Sequence, residues 1–375
     1  MVTLTLDDLT VDPHPHLHRL RDRQPVAWVE VLDGWLVTDH ELCLEVMLDA
    51  DTFTVDDPRF STQQVIGPSM LSLDGMEHKR HRDPFAGPFR AGRIRRLREE
   101  VKATAGQLIA NVVGAGGGDL RAEMAAPLAV TVMASLLDLS GVADSDVLAW
   151  YDEIVDAVHI VTAGGAVPES AHDAFGELHA AVAANLSSSD LLSVVDQSGT
   201  LDVEEIVSNV AVLLFGGIVT SESSTAIAFR YLLDDPELHR SLRKDRTLVA
   251  AFVEETLRLE PSASAVDRYA TRDTRLGKAE IRQGDLVRVS LSGANRDPAV
   301  FPEPDRLDLG RTNHGRSVTF ARGPHACLGI HLARLETTAA VEALLESSPP
   351  PEAAGLDPVT GLVFRVPETV KAAWP

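Results

Sequence analysis

The stretch Phe320-Ala321-Arg322-Gly323-Pro324-His325-Ala326-Cys327-Leu328-Gly329 decides how the rest of the chain is read. It holds one of only 2 cysteines among 375 residues, just ahead of a helical run predicted from Leu328 to Ser347. Gly323 and Gly329 let the backbone approach a neighbour closely and take unusual angles. The helix that follows points its unpaired N–H groups and the positive end of its dipole back at the sulfur, which favours a thiolate. Three roles are open to such a cysteine: nucleophile, metal ligand, or buried structural thiol. A nucleophile needs a base. His325 is adjacent, but no cysteine-protease signature surrounds the pair.

Composition narrows the field. The chain is 45% hydrophobic and 24% charged, the balance of a soluble globular protein. A net charge of -22 argues against nucleic acid and against an anionic membrane as partners. Two cysteines make no disulfide framework, and no Cys-x-x-Cys pair offers a zinc site. The start, MVTLTLDDLT, has no signal-peptide or anchor pattern, so a cytoplasmic, reducing setting is expected. The most apolar run, Ile206 to Val219, contains Ser208 and Asn209 and reads as too short to span a bilayer.

Periodicity predicts a mainly α protein with a small β part, one domain over 1–375. VAWVEVLDGWLVTD reads as a hairpin turning at Asp33-Gly34, followed by a helix over 39–49 and a long loop over 50–72. Helices are predicted over 75–89, 92–113, 121–139, 143–163, 169–186, 202–233 and 246–259. Strands are predicted over 266–270 and 286–291, then irregular chain over 294–311, and a short strand pair near 356–366. GAGGGD at 114–119 reads as a helix linker, since no Lys-Ser/Thr follows and no strand precedes it. The histidines of HPHLH at 14–18 read as surface residues.

The spacing Phe320-x-x-Gly323-x-His325-x-Cys327-Leu328-Gly329 resembles the haem-ligand loop of the cytochrome P-450 superfamily, soluble bacterial class. It departs at one position: Ala321 stands where the family has its first glycine. Other motifs occur in the family's order. Glu255-Thr256-Leu257-Arg258 matches its Glu-x-x-Arg helix, and Arg306 in PEPDRLDL holds the place of the second arginine that closes on the glutamate. LDGMEHKRHRDPF at 73–85 resembles the segment from which His78 and Arg82, four apart, reach the haem. LLFGGIVTSESST at 213–225 resembles the family's oxygen-side helix, with Gly216, Gly217 and Thr220 in register. There the usual acid is replaced by Val219; Glu222, three residues on, is a candidate substitute.

The resemblance implies the cytochrome P-450 fold, with haem b between the long central helix and the cysteine loop. It implies Cys327 as the axial iron ligand, and His78, Arg82, Arg268 and His325 as cations for the two propionates. Thr220 with Gly216 and Gly217 would shape the oxygen pocket, the glycines admitting a flat cofactor and Thr220 handling protons. The implied reaction is monooxygenation of a small, largely apolar molecule, with a secondary-metabolite intermediate as the class that the resemblance suggests. The chain has no flavin or nicotinamide fingerprint, so ferredoxin and ferredoxin reductase are the implied electron donors. KRHRDPFAGPFRAGRIRRLR at 79–98 is the basic segment to which an acidic ferredoxin would dock. Val219 leaves open a peroxide-driven or coupling enzyme, and a non-catalytic haem or ligand carrier is the reading from another class.

Overall fold

The computed structural model describes residues 4–137, 139, 141–162, 165–186 and 190–375. Local chemistry sets its first elements. Thr5 and Asp8 form a reciprocal capping box that starts α1 (Leu6–Thr10). Pro15 stands in the first turn of α2 (His14–Arg23), where no N–H is needed. β1 (Val26–Val29) and β2 (Gly34–Val37) pair antiparallel, as the alternation predicts. The connection is longer than the expected two-residue turn: Glu30–Leu32 form a 3-10 turn and Asp33 takes a left-handed φ of 46°. α3 (His40–Leu48) begins on Asp39, whose carboxylate accepts the Leu42 N–H.

The stretch expected as a loop over 50–72 contains β3 (Phe53–Thr54) and α4 (Ser61–Ile66). α5 (Gly75–Ala86) follows. The single helix expected over 92–113 is broken into α6 (Ala91–Ile94), a 3-10 turn at Arg95–Leu97, and α7 (Arg98–Gly114). The break falls where Arg93, Arg95, Arg96 and Arg98 crowd like charge into two turns. The supposed linker over 114–119 ends in a strand, β4 (Gly117–Asp119). A π-helical turn at Arg121–Ala125 leads into α8 (Ala126–Leu136). α9 (Asp144–Thr162), α10 (Glu169–Asn185) and α12 (Val203–Asp234) lie close to their predicted bounds, while α11 (Asp190–Gln197) is additional.

α13 (Pro236–Lys244) is also additional, although its start is written in the sequence: Asp235 caps the Glu237 and Leu238 N–H groups and Pro236 follows. α14 (Val249–Leu259) carries the Glu-x-x-Arg motif. Next come β5 (Ala265–Ala270), β6 (Thr274–Leu276), β7 (Ala279–Ile281), β8 (Leu286–Ser290) and the one-turn α15 (Leu291–Ala294). α16 (Ile330–Glu346) starts two residues later than predicted. The tail holds β9 (Glu352–Leu356), β10 (Val359–Thr360), β11 (Val366–Pro367) and β12 (Val370–Ala373).

These elements cluster into two compact units. The first takes in the described residues of 1–54, 98–126 and 220–375. Its five-stranded sheet has the order β1-β2-β8-β5-β3, with β2 and β8 parallel and the other pairs antiparallel. Val37, Cys43, Val46, Val287, Val289 and Val318 fill a core against that sheet. A three-stranded sheet, β4-β12-β9, uses the Gly-rich strand because a Cβ on Gly117 would lie 2.5 Å from the Ala372 carbonyl oxygen. Helices α7, α13 and α14 pack on α16. The second unit takes in the described residues of 55–97 and 127–219, where α9 packs on α10 and α4, and α5 on α11.

α12 differs from its sequence reading. At 32 residues it is the one helix among the described residues long and apolar enough to cross a membrane. Most of that apolar stretch is buried inside the protein, which is how a core helix behaves. Replacing the cap of α13, Asp235→Ala, is expected to lower unfolding free energy by about 1 kcal/mol in urea titration, with the fold intact.

Candidate active site

The cysteine loop belongs to the first unit and is held from within. The Cys327 N–H donates to the Phe320 carbonyl at 2.8 Å, and the Ala326 N–H to the Gly323 carbonyl at 3.1 Å. Gly323 has a φ of 76°, and a Cβ there would stand 2.4 Å from the Met47 carbonyl oxygen. No other residue fits without moving α3. Ala321, at the position where the resembled motif has glycine, adopts a φ of 52°. It therefore keeps the glycine conformation and carries the strain of a Cβ in it. Cys327 is exposed, and α16 begins three residues beyond it with Gly329 as its N-cap. His325 is half-buried. The Phe320 ring lies under the Arg334 guanidinium at 5.0 Å, and Arg334 is bonded through Nε and Nη2 to both carboxylate oxygens of Glu254.

Behind that loop stands a buried carboxylate. Glu255 and Arg258, both fully buried, meet in a two-point pair at 2.8 and 2.9 Å. The third member is Arg311, whose Nε lies 3.0 and 3.1 Å from the two Glu255 oxygens. This corrects the assignment of Arg306. That side chain is exposed and pairs with Glu303, and only its backbone carbonyl accepts from Arg258. Sequence spacing could not choose between the two arginines, because 294–311 has no period. The Asp308 N–H donates to Glu255 at 3.0 Å, and the Phe301 ring lies under both guanidinium groups. Burial alone would raise the pKa of Glu255; the hydrogen bonds and charge of Arg258, the Asp308 N–H and Arg311 outweigh it and hold it below the usual carboxylate range.

α12 keeps regular helix through Gly216 and Gly217. The two glycines differ in role. A Cβ on Gly216 would meet nothing within 4 Å, so that position is open. A Cβ on Gly217 would lie 2.6 Å from the Met133 sulfur of α8. A side chain at Gly217 would therefore have to displace the end of the flexible Met133 side chain. Thr220 is half-buried. Glu222 accepts a 2.7 Å hydrogen bond from Arg121, an ion pair that engages the acid considered as a substitute for the one missing at Val219.

In the second unit, His78 is buried and Arg82 half-buried on α5, one turn apart on one face. α5 is fixed by its other side: Arg80 binds Glu205, and His81 contacts the Asn209 amide at 2.9 Å. Arg268, on β5 in the first unit, is buried and donates to its neighbour's carbonyl, while the Asp267 carboxylate is taken by Arg288 at 2.7 Å through both nitrogens. The HPHLH histidines are not plain surface residues. All three are half-buried on α2, and His14, His16 and His18 face Glu260, Asp8 and Asp305.

Comparison with known proteins places this geometry. The family description "Cytochrome P450" matches residues 180–347. Cytochrome P450 107B1 of Saccharopolyspora erythraea is 31% identical, over 92% of this chain and 90% of its own. The chain belongs to the cytochrome P450 family. Nocardicin C N-oxygenase of Nocardia uniformis is 32% identical, over 98% of this chain and 97% of its own. The structure of P450BioI with a fatty-acid-ligated acyl carrier protein superposes with a TM-score of 0.88 at 25% identity, over 97% of this chain and 98% of that one.

This cytochrome P450 is a monooxygenase-class oxidoreductase, and its cofactor is haem b. The donor set suits that group. An exposed thiol on a rigid loop suits iron, and guanidinium and imidazole side chains suit two propionates.

Arg311→Ala is expected to destabilise by about 3–5 kcal/mol, since it strips a partner from a buried charge, whereas Arg306→Ala stays within about 0.5 kcal/mol. Equilibrium unfolding of the two variants distinguishes the two assignments. Ala321→Gly is expected to raise stability by about 1 kcal/mol by relieving the left-handed alanine.

Proposed function

We propose that this cytochrome P450 is a cytoplasmic haem-thiolate monooxygenase with Cys327 as axial ligand, acting on a small, largely apolar molecule. The observation that carries the reading is the cysteine loop: an exposed thiol ahead of the N-terminus of α16, in a turn that only glycine permits at Gly323. Haem, when bound, supplies the oxygen chemistry, with the thiolate donating electron density to iron. The chain's own residues do the rest. In the first unit, Arg268 and His325 would offer cations to propionates; in the second unit, His78 and Arg82 carry the same chemistry. The Glu255, Arg258 and Arg311 cluster holds the irregular segment ahead of the loop, so the thiol keeps one position. Gly216 leaves open space on α12, and the Thr220 hydroxyl would hold a proton or a water for the oxygen chemistry that haem supplies.

The substrate class rests on the relatives. Their names include nocardicin C N-oxygenase and a mycinamicin IV hydroxylase/epoxidase, which favours an intermediate of secondary metabolism. Electrons come from a partner, for which ferredoxin with its reductase is the proposal. Arg90, Arg93, Arg95 and Arg96 are exposed on α6 and the residues flanking it, and make the basic face for an acidic ferredoxin. A peroxide-driven reaction is the second reading. It is favoured by Val219 together with the pairing of Glu222 to Arg121.

Purified Cys327→Ser is expected to lose the red-shifted carbon-monoxide spectrum of thiolate ligation. Retention of that spectrum would overturn the axial assignment. Turnover of wild type with ferredoxin, reductase and NADPH, and none with peroxide alone, is expected; peroxide turnover at equal rate would favour the second reading.

A further inference from the structure

Arg306, whose side chain the Glu255 network leaves aside, stands at the edge of a groove that none of the assigned machinery uses. The groove lies wholly within the first unit, between the α12–α13 junction and the irregular residues 306–310. Its volume is about 730 Å³, inside the range of roughly 300–1,000 Å³ for small-molecule sites. Its lining combines two chemistries. Tyr231, Leu238 and Leu309, all half-buried, supply an apolar part. Asp234, Asp235, Glu237 and Asp308 bring four carboxylates against the one guanidinium of Arg306. Two of those acids are committed to the backbone. Asp235 Oδ1 accepts the Glu237 and Leu238 N–H groups, and Asp308 Oδ1 accepts that of Gly310. The other two, Asp234 and Glu237, are exposed and pair within their own helices, with Arg230 at 3.7 Å and with Arg240. Pairs of this kind are screened by water, contribute little, and yield readily to another cation.

We infer that this groove binds an organic cation carrying an apolar arm, at a site separate from the cysteine loop. The cation sits beside Asp234 and Glu237, and the arm lies along Tyr231, Leu238 and Leu309. An acidic rim over aliphatic and aromatic side chains selects for that chemistry. An anion meets four like charges, and an uncharged molecule leaves the rim's field unused. One wall of the groove is also tied to the buried network. The Asp308 N–H donates to Glu255 at 3.0 Å, and the Arg306 carbonyl accepts from Arg258 at 3.0 Å. A ligand that bridges α13 to 306–310 therefore adds a tie to the segment that leads into the cysteine loop, and stabilises the folded chain by mass action. The inference goes beyond the monooxygenase reading and does not depend on it, because the groove's shape and charge involve none of the residues assigned to haem.

The test uses the haem-loaded protein and the probe trimethyl(3-phenylpropyl)ammonium. Its nitrogen has no lone pair, so it cannot ligate iron; 3-phenylpropanol, with the same arm and no charge, is the control. Equilibrium dialysis is expected to show one saturable site for the probe, with the haem absorption band unmoved. Affinity should be about tenfold greater than for 3-phenylpropanol, and should weaken severalfold as NaCl rises from about 20 mM to about 200 mM. Asp234→Asn combined with Glu237→Gln changes two exposed side chains, so it is expected to fold and to lower probe affinity about tenfold. Arg306→Ala removes the like charge and is expected to raise affinity about threefold, while Leu309→Ala lowers it by a similar factor. Saturating probe should raise the thermal midpoint of wild type and leave that of the double variant unchanged. The inference is overturned by absence of saturable binding, by equal affinity for 3-phenylpropanol, or by a haem band that shifts with occupancy. Wild-type affinity in both the double variant and Arg306→Ala overturns it as well.

Discussion

A carboxylate that is fully excluded from water must be matched on every side, and Glu255 shows what that demands. Arg258 offers two parallel N–H groups, Arg311 approaches both oxygens, and the Asp308 N–H fills a further lone pair. The guanidinium groups then spend their remaining donors on carbonyls of irregular chain: Asn295, Pro304 and Arg306 for Arg258, Pro302 and Glu303 for Arg311. A segment with no secondary structure of its own is thus tied, residue by residue, to α14. The network ends just short of the cysteine loop, and the Thr319 hydroxyl, bonded to the Leu257 carbonyl, carries the tie into it. A buried ion pair adds little net stability over an apolar cluster of equal volume. Its value here is that only one arrangement of 295–311 satisfies it.

The same economy of space governs the glycines. Gly323 is fixed by the Met47 carbonyl and Gly117 by the Ala372 carbonyl, two backbone partners that leave no room for a Cβ. Ala321 shows the contrary case. Its left-handed φ survives because the Cys327 N–H to Phe320 carbonyl bond and the Ala321 N–H to Val318 carbonyl bond hold the turn from both ends. A departure from the family motif has changed the energy of the loop without changing its path.

Much of the fold was legible in order and type. Long helices with strong 3.6 periodicity, α9, α10, α12 and α16, end within a few residues of their predicted bounds, because an amphipathic period and a terminal cap are local properties. Short elements were not. β3, β4 and α11 have too few residues for a period, and β4 exists only because β12, some 250 residues on, pairs with it (Asp119 with Lys371). The break at Arg95–Leu97 and the 3-10 turn ahead of Asp33 depend on charge crowding and strand twist that a hydrophobic pattern does not record.

By itself the sequence determined the cysteine loop, the Glu-x-x-Arg pair and the order of elements around them, since each is a spacing along the chain. Tertiary structure decided which partner completes each group. It chose Arg311 over Arg306, bound Glu222 to Arg121, and buried Glu336 in the interior. The reason is physical. Whether a charge is paired, neutralised or solvated depends on the dielectric and donors around it, and those come from residues distant in sequence.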